Sequence, residues 1–393
     1  RYPQAIDESR CGSFMSRPSA HGSKDRLAIG IDMSSVATPH RTGVATYIVE
    51  LVTHLAAADS TNRYYLCYRL SRMKRRAHFL KLDQNNFRTK MFQEPFAPIL
   101  SRKLDVFHGP DARLPQFSGV PLIATVFDLF SLVSTEFASE EFRTMKRRRY
   151  QDIAERTAHI ITISESTKRD IVERLGIAAH RITCIYPSVS RAYRPRALDE
   201  CLSIRKKYGI NTEYLVCVGN ISRRKNVLRL LEAFAQLPGS LLTTTTLVLA
   251  GRETYGEESV RDQIRSLSLG DTVVVTGYVP QEDLPTLVAG ARAMVLVSLY
   301  EGFGFPVLEA MASGVPVITS NVSSLPEVAG DAALLVDPHD ATAISSAIER
   351  IMTDETLREE LRRKGLARAS QFSWDEATAQ TLALYRRVAD RGH

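Results

Sequence analysis

The chain has 393 residues, 44% hydrophobic and 24% charged; that is enough for two packed domains and excludes a disordered polymer. No apolar run approaches the roughly 18 residues that a membrane-spanning helix needs, which excludes an integral helical membrane protein. The formal charge of +7 is unevenly placed: residues 1–200 hold 31 Lys and Arg against 21 Asp and Glu, a balance of +10, and residues 201–393 hold 20 against 23, a balance of −3.

Residues 1–26 are polar, lack the apolar centre of a secretory signal, and read as a loose tail outside the fold. Short apolar or β-branched runs then alternate with stretches of helical periodicity. Strands are expected at 27–32, 64–70, 105–108, 122–128, 160–164 and 182–186, with helices such as 44–58 and 166–175 between them. After a Pro-, Ser- and Arg-rich stretch at 187–195 the scheme repeats, with strands at 214–218, 246–250, 273–276, 294–298, 317–319 and 333–336. Amphipathic helices follow at 355–369 and 374–388. Strands that read as continuous apolar runs between helices imply parallel sheets covered on both faces. The fold class expected is therefore α/β, with two Rossmann-like domains facing a cleft where ligands bind outside the carboxyl ends of the strands.

The five cysteines (Cys11, Cys67, Cys184, Cys201 and Cys217) are odd in number and contain no CxxC. A disulfide framework or zinc site is not expected, and a reducing cytosol fits. Trp374, the single tryptophan, reads as an anchor for the last helix.

Three segments place polar groups where such sheets bind ligands. Thr42-Gly43-Val44 opens a helix straight after the first strand, a turn able to approach a phosphate or an acceptor or to be merely structural. VCVGNISRRKNVLRLLEAF runs from a buried strand through Gly219 and the basic triplet Arg223-Arg224-Lys225 into a helix near Asn226. Cations between a strand end and a helix start are well sited for a diphosphate, although a solvated basic loop has the same composition. SLYEGFGFPVLEAMASG carries Glu301, two glycines, Pro306 at the expected first helical position, Glu309 in the first turn and Gly314 as a stop. Glycines let backbone approach a ligand, and a helix N-terminus favours an anion. The same residues also make an ordinary strand–loop–helix junction in which Glu309 complements the helix dipole. Arg72–Arg76 and Lys146–Arg149 concentrate the positive excess in the first half, either as attraction to an anionic membrane or lipid diphosphate or as solvated helix faces.

EGFGFPVLE, VGNISRRKN and the closing FSWDEATAQTLALYRRV together resemble the retaining glycosyltransferases of family four, over nearly the whole chain from about residue 27 to 388. Within that family the chain is similar to bacterial mannosyl- and hexosyltransferases of polysaccharide assembly. The resemblance implies a GT-B fold: an acceptor-binding domain at 27–195, a nucleotide-sugar-binding domain at 196–371, and a C-terminal helix at 372–393 crossing back to the first domain. It implies transfer of a hexose, mannose from GDP-mannose in the first place, to a glycan or lipid-diphosphate-linked acceptor. A UDP-hexose donor and a non-catalytic sugar-nucleotide binder stand as alternatives.

Position by position, the resemblance puts Arg224 and Lys225 at the donor diphosphate, Glu301 at the sugar hydroxyls and Glu309 at the ribose. Gly219 and Asn220 belong to the same donor-binding loop. Gly302, Phe303, Gly304 and Phe305 would line the sugar, and the amides of Pro306, Val307 and Leu308 would face the phosphates. Tyr278 and Val279 would border the base, and Gly43 would meet the diphosphate from the other domain. Relatives often carry Arg where this chain has Asn220, and a functional His where it has Phe127. Asp128 and His108 are the available substitutes for that His. No Asp-x-Asp occurs, so no metal and no cofactor is expected. Neither GxGxxG after an early strand nor interleaved base-stacking aromatics occur, so a nicotinamide oxidoreductase and a nucleic-acid partner are not expected. The expected location is the cytoplasm, with peripheral contact at the inner face of the membrane.

Overall fold

The computed structural model describes residues 24–39, 41–94, 97–252 and 260–391. The greater part of the expected tail, with Cys11, therefore lies outside the described residues. The first domain is built on β1 (Ala28–Asp32), β2 (Arg63–Arg69), β3 (Phe87–Phe92), β4 (Val106–Gly109), β5 (Leu122–Val126), β6 (His159–Thr162) and β7 (Ile182–Cys184), in the order β3-β2-β1-β4-β5-β6-β7. The second is built on β8 (Glu213–Val218), β9 (Thr245–Ala250), β10 (Val273–Gly277), β11 (Ala293–Leu296), β12 (Val317–Ser320) and β13 (Leu334–Val336), in the order β10-β9-β8-β11-β12-β13. Every ladder is parallel. The order reverses between β1 and β4 in one sheet and between β8 and β11 in the other. Those two crevices are where doubly wound sheets open to ligands.

Burial explains the pattern. The residues of β5 are all buried, as are all but the first of β8, because helices cover both faces. The helix Gly43–Ala58 is capped by Thr42, whose hydroxyl accepts from the Ala45 amide, and buries Ile48, Leu51, Val52 and Leu55 along one face. β3 was not among the expected strands: it is an edge strand whose Arg88, Thr89 and Lys90 are exposed, so it shows no continuous apolar run. β5 ends at Val126 and β11 at Leu296, earlier than expected, which leaves Phe127, Asp128 and Ser298 in the loops that face the cleft.

The helix Trp374–Arg391 returns to the first domain and packs on the Gly43–Ala58 helix and β4. Trp374 is buried, with its ring 5.6 Å from those of Tyr47 and His54. The Tyr385 hydroxyl lies 2.7 Å from His108 Nδ1. The four described cysteines are free thiols. Among the described residues no helix is long and apolar enough to cross a membrane.

Candidate functional site

Two loops at the carboxyl end of the second sheet flank its crevice, one after β8 and one after β11. The first passes through Gly219 into a 3₁₀ turn, Arg223–Lys225, and Asn226 then takes a left-handed conformation before the helix Val227–Ala235. The Asn226 side-chain amide donates to the Val297 and Pro338 carbonyls at 3.1 and 2.7 Å, which ties this turn to the second loop. The Leu299 amide donates to the Arg224 carbonyl at 2.8 Å and completes the junction.

The turn and the bend converge on Glu301. Its carboxylate lies 2.8 Å from Arg224 Nη1 and 2.6 Å from Lys225 Nζ, and accepts from the Ser298 hydroxyl at 2.7 Å. Burial alone pushes the Glu301 carboxyl up, but Arg224 and Lys225 outweigh it and hold it down to about 2. Both cations, expected to be free for phosphate, are thus already paired to one carboxylate. The cluster keeps a net charge of +1, and an ammonium has three donors, of which Glu301 takes one. Ser323, whose hydroxyl accepts from the Glu301 amide at 3.0 Å, is a candidate site residue that no motif announced.

The two glycines of the bend serve different ends. Gly304 has φ +110°, a conformation that favours glycine. At Gly302 a Cβ would overlap the Phe127 carbonyl oxygen of the other domain. The Gly302 carbonyl accepts from the Ser164 and Thr167 hydroxyls at 2.7 and 3.2 Å, so Gly302 joins the two domains across the cleft. Further bonds close the same seam. Glu327 accepts from the Glu165 and Ser166 amides at 2.7 and 3.0 Å, and the Tyr300 hydroxyl donates to Asp170 at 2.7 Å.

The helix after the bend runs Phe305–Ala312, so Pro306 is its second residue and Glu309 lies in its second turn rather than its first. Pro306 has no N–H, and the Val307 and Leu308 amides donate to the Gly304 carbonyl at 2.9 and 3.3 Å. The phosphate-facing amides expected of these three residues are thus not offered by this helix. Phe303 is buried and Phe305 partly so, with their rings 5.1 Å apart. Glu309 faces the Tyr193 hydroxyl of the interdomain connection. Burial drives its carboxyl up to about 7 against the smaller opposing pulls of Tyr193 and Lys225. Asn220 is exposed, and Tyr278 and Val279 lie past the end of β10, with the Arg252 guanidinium 4.9 Å over the Tyr278 ring.

Across the cleft, Gly43 begins its helix with open space around it. Asp128 lies beside the cluster without pairing to it: burial raises its carboxyl, and the Arg224 and Lys146 cations pull it back. Arg224 also lies 5.4 Å over the Phe130 ring. Phe127 packs edge-on against Tyr47 at 5.0 Å and has no polar part to play with its side chain. His108 is removed as a substitute. It is fully buried, its ring nitrogens engage Tyr385 and the Thr125 hydroxyl at 2.7 and 2.8 Å, and burial lowers its pKa to about 3. A neutral imidazole held inside the fold does not reach the cleft.

Residues 202–368 match the family model for glycosyl transferases group 1, and residues 41–193 match that for glycosyltransferase family 4. The chain is 37% identical over 290 residues to an Escherichia coli O-antigen chain mannosyltransferase B, covering 72% of this chain and 74% of that one. It is 30% identical over 258 residues to the E. coli serotype-specific mannosyltransferase WbdA, covering 64% of this chain but only 32% of that longer protein. Among solved structures, Anabaena HepE in complex with UDP and glucose superposes with a TM-score of 0.72 at 18% identity, over 91% of this chain and 99% of that one. WaaG, a glycosyltransferase involved in lipopolysaccharide biosynthesis, superposes at 0.69 and 17% identity, over 91% and 99%.

Proposed function

This chain belongs to glycosyltransferase family 4 and has the GT-B fold, and from that premise we propose that it moves mannose from GDP-mannose to a glycan or lipid-linked acceptor, with retention and without a metal ion. The observation that carries the reading is the convergence of Arg224, Lys225 and Glu301 on one crevice beside the Gly302–Gly304 bend.

The chemistry follows from where charge develops. As the bond from the sugar C1 to the β-phosphate oxygen breaks, the sugar becomes oxocarbenium-like and the diphosphate gains negative charge. Arg224 and Lys225 are fixed beside that position, and such preorganised donors are typically worth ~3–4 kcal/mol each. The acceptor oxygen attacks C1 from the departing face, and its proton passes to the leaving phosphate oxygen. Glu301, ionised at any ordinary pH, accepts from donor-sugar hydroxyls, and Glu309 accepts from the ribose. Gly302, Phe303, Gly304 and Phe305 line the sugar, Gly219 and Asn220 border the diphosphate, and Tyr278 and Val279 border the base. Gly43 approaches the diphosphate from the first domain, and Asp128 takes the position of the first-domain polar contact. The two cations supply the charge that a metal would otherwise supply.

A donor panel tests this. GDP release from GDP-mannose is expected to be unchanged by EDTA, and an absolute Mg²⁺ or Mn²⁺ requirement would refute the metal-free mechanism. Release only from UDP-sugars would reassign the donor, and no release from any sugar nucleotide would favour a binding protein.

The protein also works at the inner face of an anionic membrane, in this reading. The 3₁₀ segment Leu70–His78 exposes Leu70 and Met73, 43% and 42% accessible, among four basic side chains of the Arg72–Arg76 cluster. Each basic residue near such a surface is worth ~1 kcal/mol. Flotation with anionic but not neutral vesicles is the expected result; equal recovery with both would remove the membrane.

A further inference from the structure

A cavity of about 390 Å³ opens at the amino ends of β5 and β6, away from the loops that face the cleft. Val120, Pro121, Ala158 and Val388 give it apolar walls, and His159 and Arg391 are its two ionisable lining residues. Val388 and Arg391 come from the last turns of the helix Trp374–Arg391, so the helix that returns to the first domain closes one side.

His159 opens β6 and is only 3% exposed. Its Nε2 lies 2.8 Å from the Thr183 hydroxyl and 3.4 Å from Arg387 Nη2. A guanidinium can only donate, and the Thr183 hydroxyl, which accepts from Arg387 at 3.3 Å, donates in turn. This network makes Nε2 the acceptor and assigns the ring proton to Nδ1. Among the described residues that Nδ1–H has no hydrogen-bond partner, and a buried donor without an acceptor is costly.

The electrostatics point the same way. Burial first, and then Arg387, Arg391, Arg181 and His180, lower the imidazole to about 4, so the charges that act most strongly on it are all positive. Arg181 donates to the Ala154 and Thr157 carbonyls at 3.0 and 2.6 Å. Among the described residues no carboxylate pairs with Arg387 or Arg391. The end of a helix favours cations, which accounts for two arginines there but not for an imidazole buried beside them.

We infer that this cavity binds a small phosphate monoester, with Arg391 and the His159 Nδ1–H on the phosphoryl oxygens, Arg387 adding charge, and the apolar walls taking the hydrocarbon part. Guanidinium groups suit phosphate because they bind it with two parallel hydrogen bonds. A monoester carries about −1.5 to −2 charge at neutral pH, which matches the two arginines. It would also give the Nδ1–H its acceptor. The site lies at the far end of the strands from the donor crevice, so it goes beyond the glycosyl-transfer reading and its ligand is neither donor nor acceptor.

Calorimetric titration of phenyl phosphate at neutral pH tests the site. Arg387→Gln with Arg391→Gln should weaken binding at least tenfold. Arg363→Gln with Arg386→Gln, which remove the same charge from positions outside the cavity lining, should change it less than threefold. All four arginines are exposed, so both sets are expected to fold, and matching thermal midpoints verify it. Inorganic phosphate, which lacks the apolar part, should bind at least tenfold more weakly than phenyl phosphate. Saturating GDP should leave the phenyl phosphate affinity within threefold. Absence of binding, equal weakening by the two sets, no weakening by the first, inorganic phosphate binding as tightly, or displacement by GDP would each overturn the proposal.

Discussion

Lys225→Ala is expected to lower turnover at least ~100-fold while the protein stays folded. The ammonium is buried, and one of its protons is held by Glu301 at 2.6 Å, so its position is set before the donor arrives. Preorganised charge of this kind acts at the moment the leaving diphosphate gains charge. The variant leaves Glu301 with Arg224 at 2.8 Å and the Ser298 hydroxyl at 2.7 Å, so the carboxylate is not orphaned. Its stability loss should stay near ~2 kcal/mol or below. Glu301→Ala is the opposite case: two cations, one of them deeply buried, lose their shared counter-charge, and a loss of about 3–5 kcal/mol is expected. Urea unfolding of the two variants beside steady-state kinetics measures both effects. Near-normal turnover in Lys225→Ala, or Glu301→Ala more stable than Lys225→Ala, contradicts the arrangement.

Glu309→Gln is expected to raise stability above pH 7 and at the same time to impair the donor step. The Glu309 carboxyl is lifted from 4.5 to about 7, mainly by burial. The folded protein therefore binds a proton there that the unfolded chain has already released. Stability is fully present below about 4.5, falls as pH rises through about 7, and stays reduced above it. The interval corresponds to on the order of 3 kcal/mol, of which about 2 should be recovered by the neutral isostere at pH 8 and almost none at pH 4.5. The donor responds in the other direction. In the proposed reading an ionised Glu309 accepts from both ribose hydroxyls, so donor affinity should rise with pH through about 7 in the unmutated protein. In Glu309→Gln the donor KM should be at least tenfold higher and the pH dependence flat, since hydrogen bonds to a charged group are worth ~1.5–3 kcal/mol. A variant that is no more stable at pH 8, with unchanged donor KM, would remove Glu309 from the site.

Most strands of the two sheets were legible because they read as apolar runs, and central ones such as β5 and β11 are buried on both faces. β3 was not, because Arg88, Thr89 and Lys90 face solvent at the sheet edge. The placement of the candidate site was legible where a short motif carries it: Arg224-Lys225 and Glu301-Gly302-Phe303-Gly304 follow β8 and β11, as their position after apolar runs implied. What no motif carried was pairing. That Glu301 holds both cations, that Tyr193 faces Glu309, and that the Phe127 backbone abuts Gly302 are contacts between segments far apart in the chain. The helix start shifted by one residue, enough to make Pro306 its second residue and to engage the Val307 and Leu308 amides internally. His108 shows the limit most plainly: its fate is set by Tyr385, 277 positions away.

If the Arg224–Lys225–Glu301 crevice grips two linked phosphoryl groups, it should distinguish a nucleoside diphosphate from the monophosphate. Calorimetric titration of GDP and of GMP into the unmutated protein and into Lys225→Ala tests it most directly. GDP is expected to bind the unmutated protein at least tenfold more tightly than GMP, and Lys225→Ala to narrow the gap to threefold or less. Equal affinity for GDP and GMP in the unmutated protein, or a gap that Lys225→Ala leaves intact, would contradict it.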